Sequence, residues 1–118
     1  MENRLETLRN EIDGLIAKES PENVRIYISH MYGVASFCTL LALKRNLDVE
    51  LAATCGMLHD IFYITGGSRE NHALHGAKQA ETILKAMQVY SSEEIKTIIT
   101  AISDTVTKSQ YTIPMTNY

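Results

Sequence analysis

Thirteen residues, Leu51–Tyr63 (LAATCGMLHDIFY), constrain the fold more than any other part of this chain. The stretch is rich in small and helix-favouring residues, and it is apolar on every side until its end. A helix of that kind must be covered from several directions, so other helices have to surround it. At its end stand His59 and Asp60, two side chains able to ligate a metal, followed by Ile61 and the aromatic pair Phe62-Tyr63.

The neighbouring segments supply the cover. Leu5, Leu8, Ile12, Leu15 and Ile16 recur at helical spacing within residues 2–19, with charges on the other face. Ser20-Pro21 pairs a good N-cap with a residue suited to the first helical position, and predicts a second helix from about Glu22 to Arg45. Its apolar positions cover more than one face, which makes it a central core helix. Asn46-Leu47-Asp48 reads as a turn, with Asp48 capping the third helix, over about 49–63. A fourth helix is predicted over about 71–87, with Ala73, Ala77, Ala80, Ile83 and Leu84 inward, after the loop Gly66-Gly67-Ser68. Ser91 and Glu94 form a capping-box pattern for a fifth, ending near Asp104. Residues 105–118 (TVTKSQYTIPMTNY) read as a non-helical tail, because periodicity fades and Pro114 breaks helices. The expectation is a single all-α domain over residues 1–118, a compact bundle of about five helices.

Composition narrows the function. With a net charge of -3 there is no basic excess to neutralise a nucleic-acid polymer. The apolar run Val34–Leu43 is half a membrane span, so no membrane partner is expected. Cys38 and Cys55 sit in apolar helical stretches and read as reduced, buried thiols. Nothing at the charged N-terminus resembles a signal peptide, so the expected location is cytoplasmic.

Polar side chains on apolar helices mark the chemistry. His30 lies in ISHMYGVASF, His59-Asp60 in GMLHDIF, and His72 and His75 in ENHALHGAKQAE. Imidazole with carboxylate suits a divalent ion such as manganese, iron, cobalt, nickel or zinc. Adjacent residues on a helix point about 100° apart, so His59 and Asp60 converge on one ion only near a helix end. The bland alternative is that these are separate surface or core residues of a plain helical bundle.

The order His30-x-x-x-Val34, then Asp48-Val49-Glu50-Leu51-Ala52, then Leu58-His59-Asp60-Ile61, then His72-x-x-x-Gly76-Ala77 resembles the HD-domain phosphohydrolase superfamily, over about residues 22–103. The resemblance implies an all-α fold and a divalent metal, with magnesium added to the candidates, held by His30, His59 and Asp60. It implies metal-dependent hydrolysis of a small phosphate ester, including nucleotides. His72 and Asp60 would be the catalytic groups, His72 as a phosphate contact, proton shuttle or second-metal ligand; Arg69 and Lys78, by their charge, are the candidates to offset a phosphate. The family's distal Asp ligand has no counterpart in residues 105–118, which contain no Asp, Glu or His; Asp104 is the candidate substitute. That departure predicts weak metal retention and weak activity, and keeps open a degenerate, non-catalytic HD module that binds metal or nucleotide or works through oligomerisation. A homodimer with the C-terminal segment near its interface is also expected, because the final helix of the fold reads as missing.

Overall fold

The computed structural model describes residues 3–61 and 72–111, with side chains for all of these but 72–74 and 104–111. Among the described residues there are five helices and no strand: α1 (Arg4–Ile16), α2 (Pro21–Lys44), α3 (Val49–Leu58), α4 (His72–Met87) and α5 (Ser92–Tyr111). The all-α expectation holds.

Local chemistry places the helix ends. Asn3 caps α1 by accepting from the Glu6 amide, Ser20 caps α2 from Asn23, and Asp48 caps α3 from Leu51. Asn46, with φ of 58°, ends α2 in a left-handed turn. The Leu47 amide then donates to the Ala42 carbonyl at 2.8 Å and the Asn46 amide to Leu43 at 3.3 Å, closing the orphan carbonyls of the last turn. Ser91 and Glu94 form the reciprocal capping box at 2.9 and 3.1 Å.

The core is built from one stripe of each helix. Leu8, Ile12 and Ile16 of α1 meet Met31 and Ala35 of α2, Met57 and Leu58 of α3, Ala80 and Leu84 of α4, and Ile98 and Ile102 of α5. Arg4 ties the start of α1 to two other elements. Its guanidinium donates to Glu50 on α3 at 2.8 Å, to both carboxylate oxygens of Glu94 on α5 at 2.8 and 2.6 Å, and to the Val89 carbonyl at 2.9 Å.

Four expectations need correction. The third helix stops at Leu58 rather than Tyr63, with His59 and Asp60 in a turn. The fifth helix continues past Asp104 to Tyr111, so residues 105–111 are not a non-helical tail. Thr105, Val106 and Thr107 are β-branched, and such residues lower helix propensity by only about a few tenths of a kcal/mol each. The helix ends three residues before Pro114, where proline would obstruct it. The second helix, α2, is not buried all round: only Met31, Ala35 and Ala42 are buried, while Phe37, Leu40 and Leu43 are about 60 % exposed. By length and composition α2 could cross a membrane, with a mean hydropathy of 1.5 in its most apolar window. Finally, Cys38 and Cys55 are free and half-buried rather than buried, and burial raises both thiols, Cys55 to about 11. The loop Gly66-Gly67-Ser68, Phe62, Tyr63 and residues 112–118 lie outside the described residues.

Candidate metal centre

Two helices bring the site together, and a glycine sets their distance. A Cβ on Gly56 of α3 would lie 2.7 Å from the Ala35 Cα and 3.0 Å from its nitrogen, both backbone atoms of α2. Only a residue without a side chain permits that approach. One turn beyond Gly56 along α3, the chain turns at His59-Asp60, between the fully buried Leu58 and Ile61. Those two anchors leave the polar pair facing α2, where His30 stands just before the buried Met31.

Three donors converge there. His30 Nε2 lies 2.8 Å from Asp60 Oδ2, and His59 Nε2 lies 3.1 Å from the same oxygen. The imidazole centroids are 5.1 Å apart and tilted by 49°. One donor atom from each residue falls within 4.8 Å of the others. Donors bound to one ion at about 2.0–2.2 Å stand about 3 Å from each other, so the spacing fits a divalent metal. The His59 and Asp60 side chains are 19 % and 25 % exposed, and His30 is 51 % exposed, which opens the centre on one side.

Hydrogen bonding fixes how His59 presents itself. Its Nδ1 is 2.7 Å from the Gly56 carbonyl, which can only accept, so Nδ1 carries the proton. A neutral His59 therefore directs the Nε2 lone pair at the Asp60 carboxylate. Two acceptors 3.1 Å apart repel unless a cation sits with them. In the metal-free chain a proton can take that place. Burial alone would depress the His59 imidazole, but hydrogen bonding and charge from Asp60, with the Gly56 carbonyl, raise it above its ordinary 6.5. Burial alone would likewise raise Asp60, yet the two imidazoles hold it at about 2. A carbonyl orienting the far nitrogen of a ligating histidine is the usual support of a metal site.

The other expected residues are placed differently. Lys78 is exposed on α4, with no hydrogen bond or ion pair to the three donors, and His75 is exposed on the same helix. Arg69 lies outside the described residues, as do the side chains of His72 and Asp104. The backbone of Asp104 is on α5, two residues beyond the buried Ile102. Gly56 was not singled out by sequence reasoning. Its signal was the run of small residues Ala52-Ala53-Thr54-Cys55-Gly56, which marks a helix built to lie close to another.

Comparison with known proteins agrees with the geometry. The family model described as HD domain matches residues 27–111, which span all three donors and continue past Asp104. No curated protein and no solved structure matches the chain.

Proposed function

The chain belongs to the HD-domain family, and from that premise we propose that it is a metal-dependent phosphohydrolase acting on a small phosphate ester, nucleotides included. The observation that carries the reading is the lone pair of His59 aimed at Asp60, a pair of acceptors that needs a cation between them. His30, His59 and Asp60 would hold the ion. Manganese, iron, cobalt, nickel, zinc and magnesium are the candidates from the donor set and the family. The ion supplies Lewis acidity toward a phosphoryl oxygen and a lowered pKa for water.

The chain's own residues do the rest. Gly56 holds the His59 tautomer, and Leu58 and Ile61 clamp the turn that presents both ligands. The open side beside His30 is where a phosphate ester enters. His72, from the family pattern, would serve as a phosphate contact, proton shuttle or second-metal ligand, and Arg69 and Lys78 are candidates, by charge alone, to offset the phosphate. Asp104, on α5, is the candidate fourth ligand, and its side chain lies outside those described.

A second reading is a non-catalytic HD module that binds metal or nucleotide. It is favoured by one observation: among the described residues only three donors converge. Elemental analysis of protein purified without a metal-affinity tag separates the readings when paired with hydrolysis assays. A panel of aryl phosphate mono- and diesters and nucleotides, with each metal added in turn, should show weak turnover that Asp60→Ala abolishes. Metal bound to the three donors with no turnover on any substrate would reject the enzyme and leave the module.

A further inference from the structure

We propose that the outward face of α2 docks a second copy of this chain, in a two-fold pair in which Phe37 of each copy packs over the partner's Gly33. The face carries Ile26, Phe37, Leu40 and Leu43, followed by Leu47, each 54–63 % exposed. A fully exposed residue of this size offers about 200 Å², so the five show water roughly 600 Å² of largely apolar surface. That is the upper end of what a typical monomer leaves in one patch. A standard interface needs about 800 Å² from each partner, which the intervening Ser29, Gly33 and Ser36 bring within reach.

The shape of the face selects a copy of itself. Gly33 lies on α2 one turn before Phe37, and a Cβ built on it would meet nothing within 4 Å. The helix thus carries a large aromatic knob and, about 6 Å away, a hole open to water. A two-fold axis perpendicular to α2, passing midway between these residues, places each knob in the other copy's hole. That is the self-complementarity an isologous interface requires. The opposite side of α2 is already committed to α3 through Met31, Ala35 and the close approach at Gly56, so lipid could surround only part of the helix. His30 flanks the docking face, and the second copy would form a wall on the open side of the metal centre.

Sedimentation equilibrium of the full chain decides, and it does so independently of any activity. Twice the 13.2 kDa chain mass is expected at tens of micromolar protein. Gly33→Leu should weaken the dimer at least tenfold while keeping helix content, because the monomer has open space at that position. Phe37→Glu should do the same by removing the knob. A chain that stays monomeric at about 100 µM overturns the proposal, and so does a dimer whose dissociation constant neither variant moves. Co-sedimentation of the monomer with phosphatidylcholine vesicles, lost in Phe37→Glu, would show that the face meets lipid and would also overturn it.

Discussion

His59 Nε2 and Asp60 Oδ2 stand 3.1 Å apart with the His59 Nδ1 proton already committed to the Gly56 carbonyl. A proton and a metal therefore compete for the place between these two acceptors. Metal binding should release a proton, and affinity should fall as pH drops through and below the raised His59 pKa, by up to about tenfold per pH unit for each competing proton. Titration calorimetry in two buffers of different ionisation enthalpy measures the released proton directly. Affinity that does not change between pH 8 and about pH 6 would place the metal elsewhere.

The same pair makes a prediction without metal. Burial pushes His59 down and Asp60 pulls it up. In Asp60→Ala the burial effect loses its main opponent, so the His59 pKa should fall from above 6.5 to below its wild-type value. In the wild-type apo protein, the raised imidazole contributes stability that is present below pH 6.5 and lost as pH rises through the folded pKa. NMR titration of the His59 ring reports both; a pKa unmoved by Asp60→Ala would contradict the coupling.

Gly56→Ala should cost about 1–3 kcal/mol, because the new methyl would meet backbone of α2 at 2.7 Å and backbone cannot rotate aside. The gain in helix propensity, about 1 kcal/mol, only partly offsets this. Metal affinity should fall with stability, since α2 carries His30 and α3 leads into His59-Asp60. Gly14→Ala is the control: its Cβ would meet nothing within 4 Å, and it should stabilise by about 0.5–1 kcal/mol. Urea unfolding of both variants tests the contrast.

The periodic residues made most of the fold legible. Leu8, Ile12 and Ile16, and Ala77, Ala80 and Leu84, are spaced for one buried face and are buried. Caps at Ser20, Asp48 and Ser91 were equally readable, because each is a local side chain-to-backbone contact. The helical run past Asp104 was not, because the apolar periodicity fades among the Thr and Tyr residues there and Pro114 lies close beyond. The two-sided character of α2 also escaped, since an apolar face toward water reads as an apolar face toward the core. In the site, the residue types of His30, His59 and Asp60 were legible from their order. Gly56 was not, because its role depends on how closely two helices approach.

Arg4 makes the last prediction. Its guanidinium joins α1 to Glu50, to Glu94 and to the Val89 carbonyl, and it stacks 4.5 Å above the Tyr90 ring. The Arg4 and Glu94 side chains are 22 % and 27 % exposed, between a surface pair and a buried one. Arg4→Ala should therefore cost about 1–3 kcal/mol, through lost packing on Tyr90 as well as lost charge. The loss should depend on pH in one direction. Hydrogen bonding from Arg4, with help from Ser91, holds Glu94 at about 2 against an ordinary 4.5. A depressed carboxylate contributes stability that is complete above the unfolded value and disappears as pH falls through the folded one. The wild-type protein should therefore lose this contribution between about pH 4.5 and pH 2, and Arg4→Ala should show a shallower acid dependence across the same window. Thermal melts from pH 7 to pH 2 measure it; parallel curves for the two proteins would mean that Glu94 owes its depressed pKa to Ser91 and not to Arg4.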